Sequence, residues 1–308
     1  MRFAVLGSGS KGNALVVQGG GATVIVDVGY GPREIKRRME HLELDVRALD
    51  AVLLTHGHGD HIKGAKQLAG TLAIPTHATE ETKRFCAGFG GIKNHVPIAS
   101  GRPFRVMSLE ITPTATPHDA PGSVCFVLDD GDERVGVCTD LGMPTEAVAL
   151  ALSTCDALVL EHNHDAEMLR TGPYSTSLKR RIGGTRGHLS NDDGAKLLSM
   201  AFALGGKKLT RVLLAHLSEV NNTPRLALAA ARPVLDGYDV ELAIAPQHHP
   251  TGWLRARRQR AAATPIAVRV PANDVRAPVT TPTPPNLPAR HAARDRQLAL
   301  FASTRTTP

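Results

Sequence analysis

Thr55-His56-Gly57-His58-Gly59-Asp60-His61 places three imidazoles and a carboxylate within six positions, directly after the apolar run Ala51-Val52-Leu53-Leu54. A strand carries the chain to a sheet edge, the glycines at 57 and 59 permit a tight backbone path, and alternate side chains turn toward one point. That is the layout of a two-metal hydrolytic site. Imidazole and carboxylate together suit zinc, or manganese where carboxylates dominate. The HxHxDH spacing is far more constrained than a lone histidine, so an accidental His-rich loop is a poor account of it.

Outward from this segment, the chain up to Trp253-Leu254 alternates short β-rich runs with helical patterns at the connection lengths of a compact α/β domain. Strands are expected at 3–7, 14–18, 22–27, 51–55, 104–107, 110–115, 123–129, 134–138, 156–160, 210–214 and 239–244. Helices are expected at 32–42, 61–69, 144–152, 190–204 and 223–235. Ser190 followed by Asp193 has the form of a capping box with Asp in place of Glu, and Gly205-Gly206 supplies the stop. Two sheets between helix layers, an α/β sandwich of αββα type, satisfy this order.

With 308 residues and 42% hydrophobic side chains, the chain can build a real core. Cys86, Cys125, Cys138 and Cys155 form no CxxC pair and read as reduced core residues, which favours a cytoplasmic protein. The apolar run from Met1 to Leu6 ends at Gly7-Ser8-Gly9, too brief for a signal peptide or a membrane span. The net charge of +7 is unevenly placed. Residues 254–308 hold ten arginines against two aspartates, a net of +8, which leaves 26 basic and 27 acidic side chains before them, a net of −1. The globular part is neutral, and the tail is the basic element.

Further candidate ligands stand singly at the ends of expected strands, where side chains from separate elements can converge. Asp27 ends Val24-Ile25-Val26, His118 follows Ile111 to Pro117, Asp140 follows Val135 to Thr139, and His216 follows Arg211 to Ala215. One such residue is usually a satisfied loop group, but four of them joined to HxHxDH point to a shared site. Gly187-His188-Leu189-Ser190-Asn191 puts His188 beside a helix start, a proton donor next to orphan backbone N–H groups and a seat for a phosphate. Glu161, at the end of Ala157-Leu158-Val159-Leu160, is a candidate to hold His188 in its protonated tautomer.

In this order Asp27, His56-x-His58-x-Asp60-His61, His118, Asp140 and His216 resemble the five motifs of the metallo-β-lactamase superfamily, over residues 1 to about 245. The resemblance implies two divalent cations, Zn²⁺ first and Mn²⁺ second. One would sit on His56, His58 and His118, the other on Asp60, His61 and His216, with Asp140 bridging them and Asp27 bracing the HxHxDH loop. Flavodiiron relatives carry an acidic residue where His58 stands, and β-lactamases lack the bridging carboxylate, so both are disfavoured. Glyoxalase II-type thioesterases share all seven ligands and remain open. In RNase Z and RNase J nucleases an element similar to Gly187-His188 supplies the acid that contacts phosphate.

Ser8-Gly9-Ser10-Lys11-Gly12-Asn13, Thr116-Pro117-His118-Asp119-Ala120, Leu160-Glu161-His162-Asn163-His164-Asp165, Gly172-Pro173-Tyr174 and Leu178-Lys179-x-Arg181-Ile182 further resemble the YycJ/WalJ type of small metallohydrolase. His162 departs from that pattern. The type is associated with 5′→3′ DNA exonuclease activity, which implies Asp60, His188 and Glu161 as catalytic residues and DNA as substrate. A small-molecule phosphodiesterase, or a non-catalytic accessory protein with a structural metal site, are the rival expectations.

Beyond 254 the chain carries eight of its 21 prolines and has no helical or strand periodicity. The expected division is therefore a catalytic domain at 1–254 and a disordered Arg/Pro/Ala-rich tail at 255–308. Within the tail, Gln297-Leu298-Ala299-Leu300-Phe301 resembles the bacterial sliding-clamp binding motif, with Gln297, Leu298, Leu300 and Phe301 as its contacts.

Overall fold

The structure is a computed structural model that describes residues 1–206 and 208–257. Two seven-stranded sheets face each other. The first runs β14 (Leu254–Arg255), β1 (Arg2–Gly7), β2 (Ala14–Gly19), β3 (Ala22–Val26), β4 (Ala51–Leu53), β5 (Thr76–Thr79), β6 (His95–Ile98). The second runs β13 (Glu241–Ile244), β12 (Arg211–Ala215), β11 (Ala157–Glu161), β10 (Arg134–Cys138), β9 (Val124–Asp129), β8 (Leu109–Ala115), β7 (Phe104–Val106). Each sheet starts as antiparallel hairpins and continues as parallel strands, from β3 onward in one and from β10 onward in the other. The change follows connection length, because two-residue links such as Gly20-Gly21 suffice for hairpins while parallel strands need crossovers.

Strand alternation sorts side chains into three apolar layers. Leu213 and Ala215 of β12 join Val24 and Val26 of β3 and Phe126 of β9 between the sheets, while Val212 and Leu214 face the helices. On the first sheet's outer face Ile25 and Val52 meet Ile35 and Met39 of α1 (Pro32–Glu40) and Leu68 of α3 (Ala65–Leu72). On the second sheet's outer face lie α5 (Glu146–Leu152), α8 (Asn191–Ala203) and α9 (Pro224–Ala231). With both faces covered, central strands such as β3, β4, β11 and β12 are buried throughout. All four cysteines are free and buried. Among the described residues no helix is long and apolar enough to cross a membrane.

The expected helix at 61–69 is two helices, α2 (Gly59–Ile62) and α3. The backbone between them is tied to the loop after β3: Val28 N–H donates to the His61 carbonyl at 2.6 Å and Gly64 N–H to that of Val28 at 2.8 Å. The run expected at 223–235 ends as α-helix at Ala231 and finishes in a 3-10 turn containing Pro233. Strands β5, β6 and β14 were not expected, nor were the short helices α4 (Glu80–Cys86), α6 (Ala166–Thr171) and α7 (Thr176–Ile182). Ser190 caps α8 as its sequence implies: Oγ accepts from Asp193 N–H at 3.0 Å and donates to the Asp193 carboxylate at 2.8 Å.

The parallel strands give the sandwich two distinct rims. At their N-terminal ends the Arg257 guanidinium meets Asp156 at 2.8 Å and the Asp132 carbonyl at 2.7 Å. The candidate ligands gather at the other rim, the C-terminal one.

Candidate metal centre

Six strand ends deliver the site. Asp27 follows β3, the HxHxDH loop follows β4, His118 follows β8, Asp140 follows β10, Glu161 ends β11 and His216 follows β12. Asp27, Asp140 and His216 all adopt left-handed backbone, with φ of 59°, 61° and 56°. Such geometry costs an L-residue on the order of 1 kcal/mol and persists only where the surroundings impose it.

The ring contacts fix which nitrogen of each histidine can bind a cation. His61 Nδ1 lies 2.7 Å from Asp27 Oδ2; a carboxylate only accepts, so Nδ1 carries the proton and Nε2 points inward. The same oxygen accepts the Thr55 hydroxyl at 2.8 Å. Thr55 Oγ1 must then accept from His56 Nδ1 at 3.0 Å, which leaves His56 Nε2 as a lone pair. His118 Nδ1 donates to the Gly187 carbonyl at 2.9 Å and His216 Nδ1 to Glu161 Oε1 at 2.8 Å. His58 Nε2 faces Asp119 Oδ1 at 3.3 Å. Every one of the five rings thus has its outward nitrogen beside a partner oxygen, the arrangement that orients metal-binding imidazoles.

Inside, the free atoms crowd one another. His58 Nδ1 and His118 Nε2 are 3.2 Å apart. Asp60 Oδ2 lies 3.6 Å from both His61 Nε2 and His216 Nε2. Asp140 Oδ2 sits 3.1 Å from His61 Nε2, and its Oδ1 sits 3.8 Å from His118 Nε2. His56 Nε2, His216 Nε2 and Asp140 Oδ2 are buried without a hydrogen-bond partner among the described residues. Two ligands on one tetrahedral zinc are about 3.3 Å apart. His56, His58 and His118 form one pocket, Asp60, His61 and His216 another, and Asp140 reaches both. The donor set therefore fits two divalent cations.

Burial lowers His58 to about 4 and holds His56 well below its ordinary range, so both are neutral donors. Burial also opposes charge on His61 and His216, but Asp140 and neighbouring carboxylates outweigh it, raising His61 well above its usual value and His216 to about 10. Glu161 would be raised by burial, yet His188 and His216 bring it to about 2. Its Oε2 also accepts the backbone N–H groups of Leu141 at 2.8 Å and Leu189 at 3.2 Å. Its Oε1 takes the His188 ring at 2.9 Å as well as that of His216.

The structure thus brings together Asp27, His56, His58, Asp60, His61, His118, Asp140, Glu161, His188 and His216. Gln297, Leu298, Leu300 and Phe301 lie outside the described residues. Two further side chains, Asn13 and Asp119, border the site. Asn13 Nδ2 lies 3.0 Å from His61 Nε2 and its carboxamide oxygen accepts from Gly9 N–H. Asp119 sits beside the outer face of His58. Asp119 adjoins His118 within the Thr116–Ala120 segment that resembles the YycJ/WalJ type. His162, the departure from the YycJ/WalJ pattern, is buried against Gly194 behind the site.

These strands, loops and paired pockets define a metallo-β-lactamase fold, and the profile of the Metallo-beta-lactamase superfamily matches residues 7–173. The chain belongs to that superfamily and is a metallohydrolase. Among its relatives, Exodeoxyribonuclease YycJ of Bacillus anthracis is 31% identical over 250 residues, 77% of this chain and 89% of that protein. Exodeoxyribonuclease WalJ of Streptococcus pneumoniae is 29% identical over 232 residues, 73% of this chain and 85% of its own. The metallo-β-lactamase fold protein YhfI of Bacillus subtilis shares the fold with a TM-score of 0.61 at 19% identity, covering 81% of this chain and 98% of that one.

Proposed function

We propose that this metallohydrolase cleaves phosphodiester bonds in DNA, working from the 5′ end. The observation that carries the reading is His188, held by Glu161 beside the two pockets and only 19% exposed. Two divalent ions, zinc in the first instance and manganese in the second, would supply Lewis acidity and make water a usable nucleophile at neutral pH. His56, His58 and His118 would hold one, and Asp60, His61 and His216 the other, with Asp140 between them.

The chain's own residues do the rest. Glu161 accepts the His188 Nδ1–H, so the doubly protonated ring would give the proton on its other nitrogen to the oxygen that departs from phosphorus and keep the one held by Glu161. Asp27 and Thr55 keep the HxHxDH loop in the register that aims His56 and His61 inward. The names of the YycJ and WalJ relatives support DNA as substrate.

The test is hydrolysis of end-labelled duplex DNA, single-stranded DNA, RNA and a thioester, each with Zn²⁺ or Mn²⁺. Release of 5′-labelled mononucleotides ahead of internal ones is expected; turnover of the thioester alone would overturn the proposal. His188→Ala should lower DNA turnover by about 10²-fold or more with metal content intact. The clamp-type peptide at 297–301 completes the reading as a tether to the replication machinery. Leu300→Ala with Phe301→Ala should abolish sliding-clamp pull-down, and unaltered capture would remove the tether.

A further inference from the structure

Between Glu167 and Asp192 the chain carries Arg170, Lys179, Arg180, Arg181 and Arg186 and no acidic residue, within a globular part whose net charge is −1. Two of these side chains converge on the turn that holds His118. Arg181, at the end of α7, donates through Nε to Asp119 Oδ2 at 2.5 Å. Arg186 donates through Nε to the His118 carbonyl at 3.1 Å. Both are exposed. Anchoring at Nε fixes the plane of each guanidinium and leaves its two terminal NH₂ groups without a protein partner among the described residues. Arg180, next to Arg181 in sequence, is exposed and unpaired among the described residues.

A guanidinium fixed in place with its fork open matches phosphate oxygens. We infer that Arg181 and Arg186 form a phosphate clamp at the rim of the metal centre, taking a backbone phosphate of a nucleic-acid strand next to the bond being cut. The inference rests on the phosphodiesterase reading and sharpens it: the substrate is a polyanionic strand of at least two phosphates, not a mononucleotide ester. A neutral domain thereby gains a basic track only where the strand enters.

The test is steady-state cleavage of a 5′-labelled single-stranded DNA 15-mer by the metal-loaded full chain at several KCl concentrations. Arg181→Gln and Arg186→Gln should each raise KM about tenfold. Each should also flatten the slope of log kcat/KM against log salt by about 0.7, one phosphate contact on a single strand. Arg186→Lys, which keeps the charge, should restore the slope. Wild-type KM and slope in both Gln variants would overturn the clamp alone. A wild-type protein that hydrolyses bis(4-nitrophenyl) phosphate but leaves the 15-mer intact would overturn the polynucleotide reading and the clamp with it.

Discussion

Asp27 reaches two ligand rings with a single carboxylate oxygen, His61 directly and His56 through the Thr55 hydroxyl. Asp27→Ala should weaken metal binding about 10- to 100-fold, read by competition with a chromophoric chelator, and unchanged affinity would refute its bracing role. His61 and His216, both raised by surrounding carboxylates against the effect of burial, carry an extra proton in the metal-free protein at neutral pH. A cation must displace those protons, so affinity should rise with pH, and titration calorimetry in buffers of different ionisation enthalpy should find release of about two protons. No net release would contradict this electrostatic picture. Away from the centre, His77 on β5 is buried and stacked on Phe104 at 4.6 Å, and burial with a smaller effect of His95 lowers it to about 4. A folded pKa below the unfolded value of about 6.5 means that the unfolded chain binds the proton more readily. The stability involved is complete above about pH 6.5 and is lost as pH falls toward 4, with about 2 kcal/mol of it lost between pH 7 and 5. His77→Leu should remove that acid sensitivity from urea titrations at pH 5 and 7.

Among elements, the loop between β3 and α1 holds the HxHxDH segment by backbone contacts as well as through the Asp27 side chain. Asn13 N–H donates to the Asp60 carbonyl at 2.8 Å across Gly29, and a methyl group at Gly29 would collide with both. Gly29→Ala should therefore lower bound metal, measured by elemental analysis, even though Gly29 binds none; full occupancy would show that the loop yields at no cost. HxHxDH was legible because its donors lie within one turn of chain, and Asp140 and His216 because each closes an apolar run. Asn13 stands in a motif that was legible, but its contact with Asp60 and His61 was not, because it spans 47 and 48 positions. Strand β5 escaped notice because Thr76-His77-Ala78-Thr79 is polar in composition yet buried at every position. Helices α4, α6 and α7 are six or seven residues long. Their caps at Thr79, Asp165 and Ser175 were visible signals, but too little apolar periodicity follows them.

For the whole molecule, the centre is shared between halves: His56, His58, Asp60 and His61 come from the first sheet, His118, Asp140 and His216 from the second. Cations held by these residues would tie the two sheets together, so chelation should lower the thermal midpoint by roughly 5 °C or more and zinc should restore it. An unchanged midpoint would mean that the sandwich core holds the halves together unaided. The rims add a spatial consequence. Arg257 is moored to Asp156 and Asp132 at the pole where the parallel strands begin, whereas the reacting groups sit where those strands finish. A bead or dye attached at that pole therefore sits at the molecule's back, and immobilised enzyme keeps its mouth turned to solution.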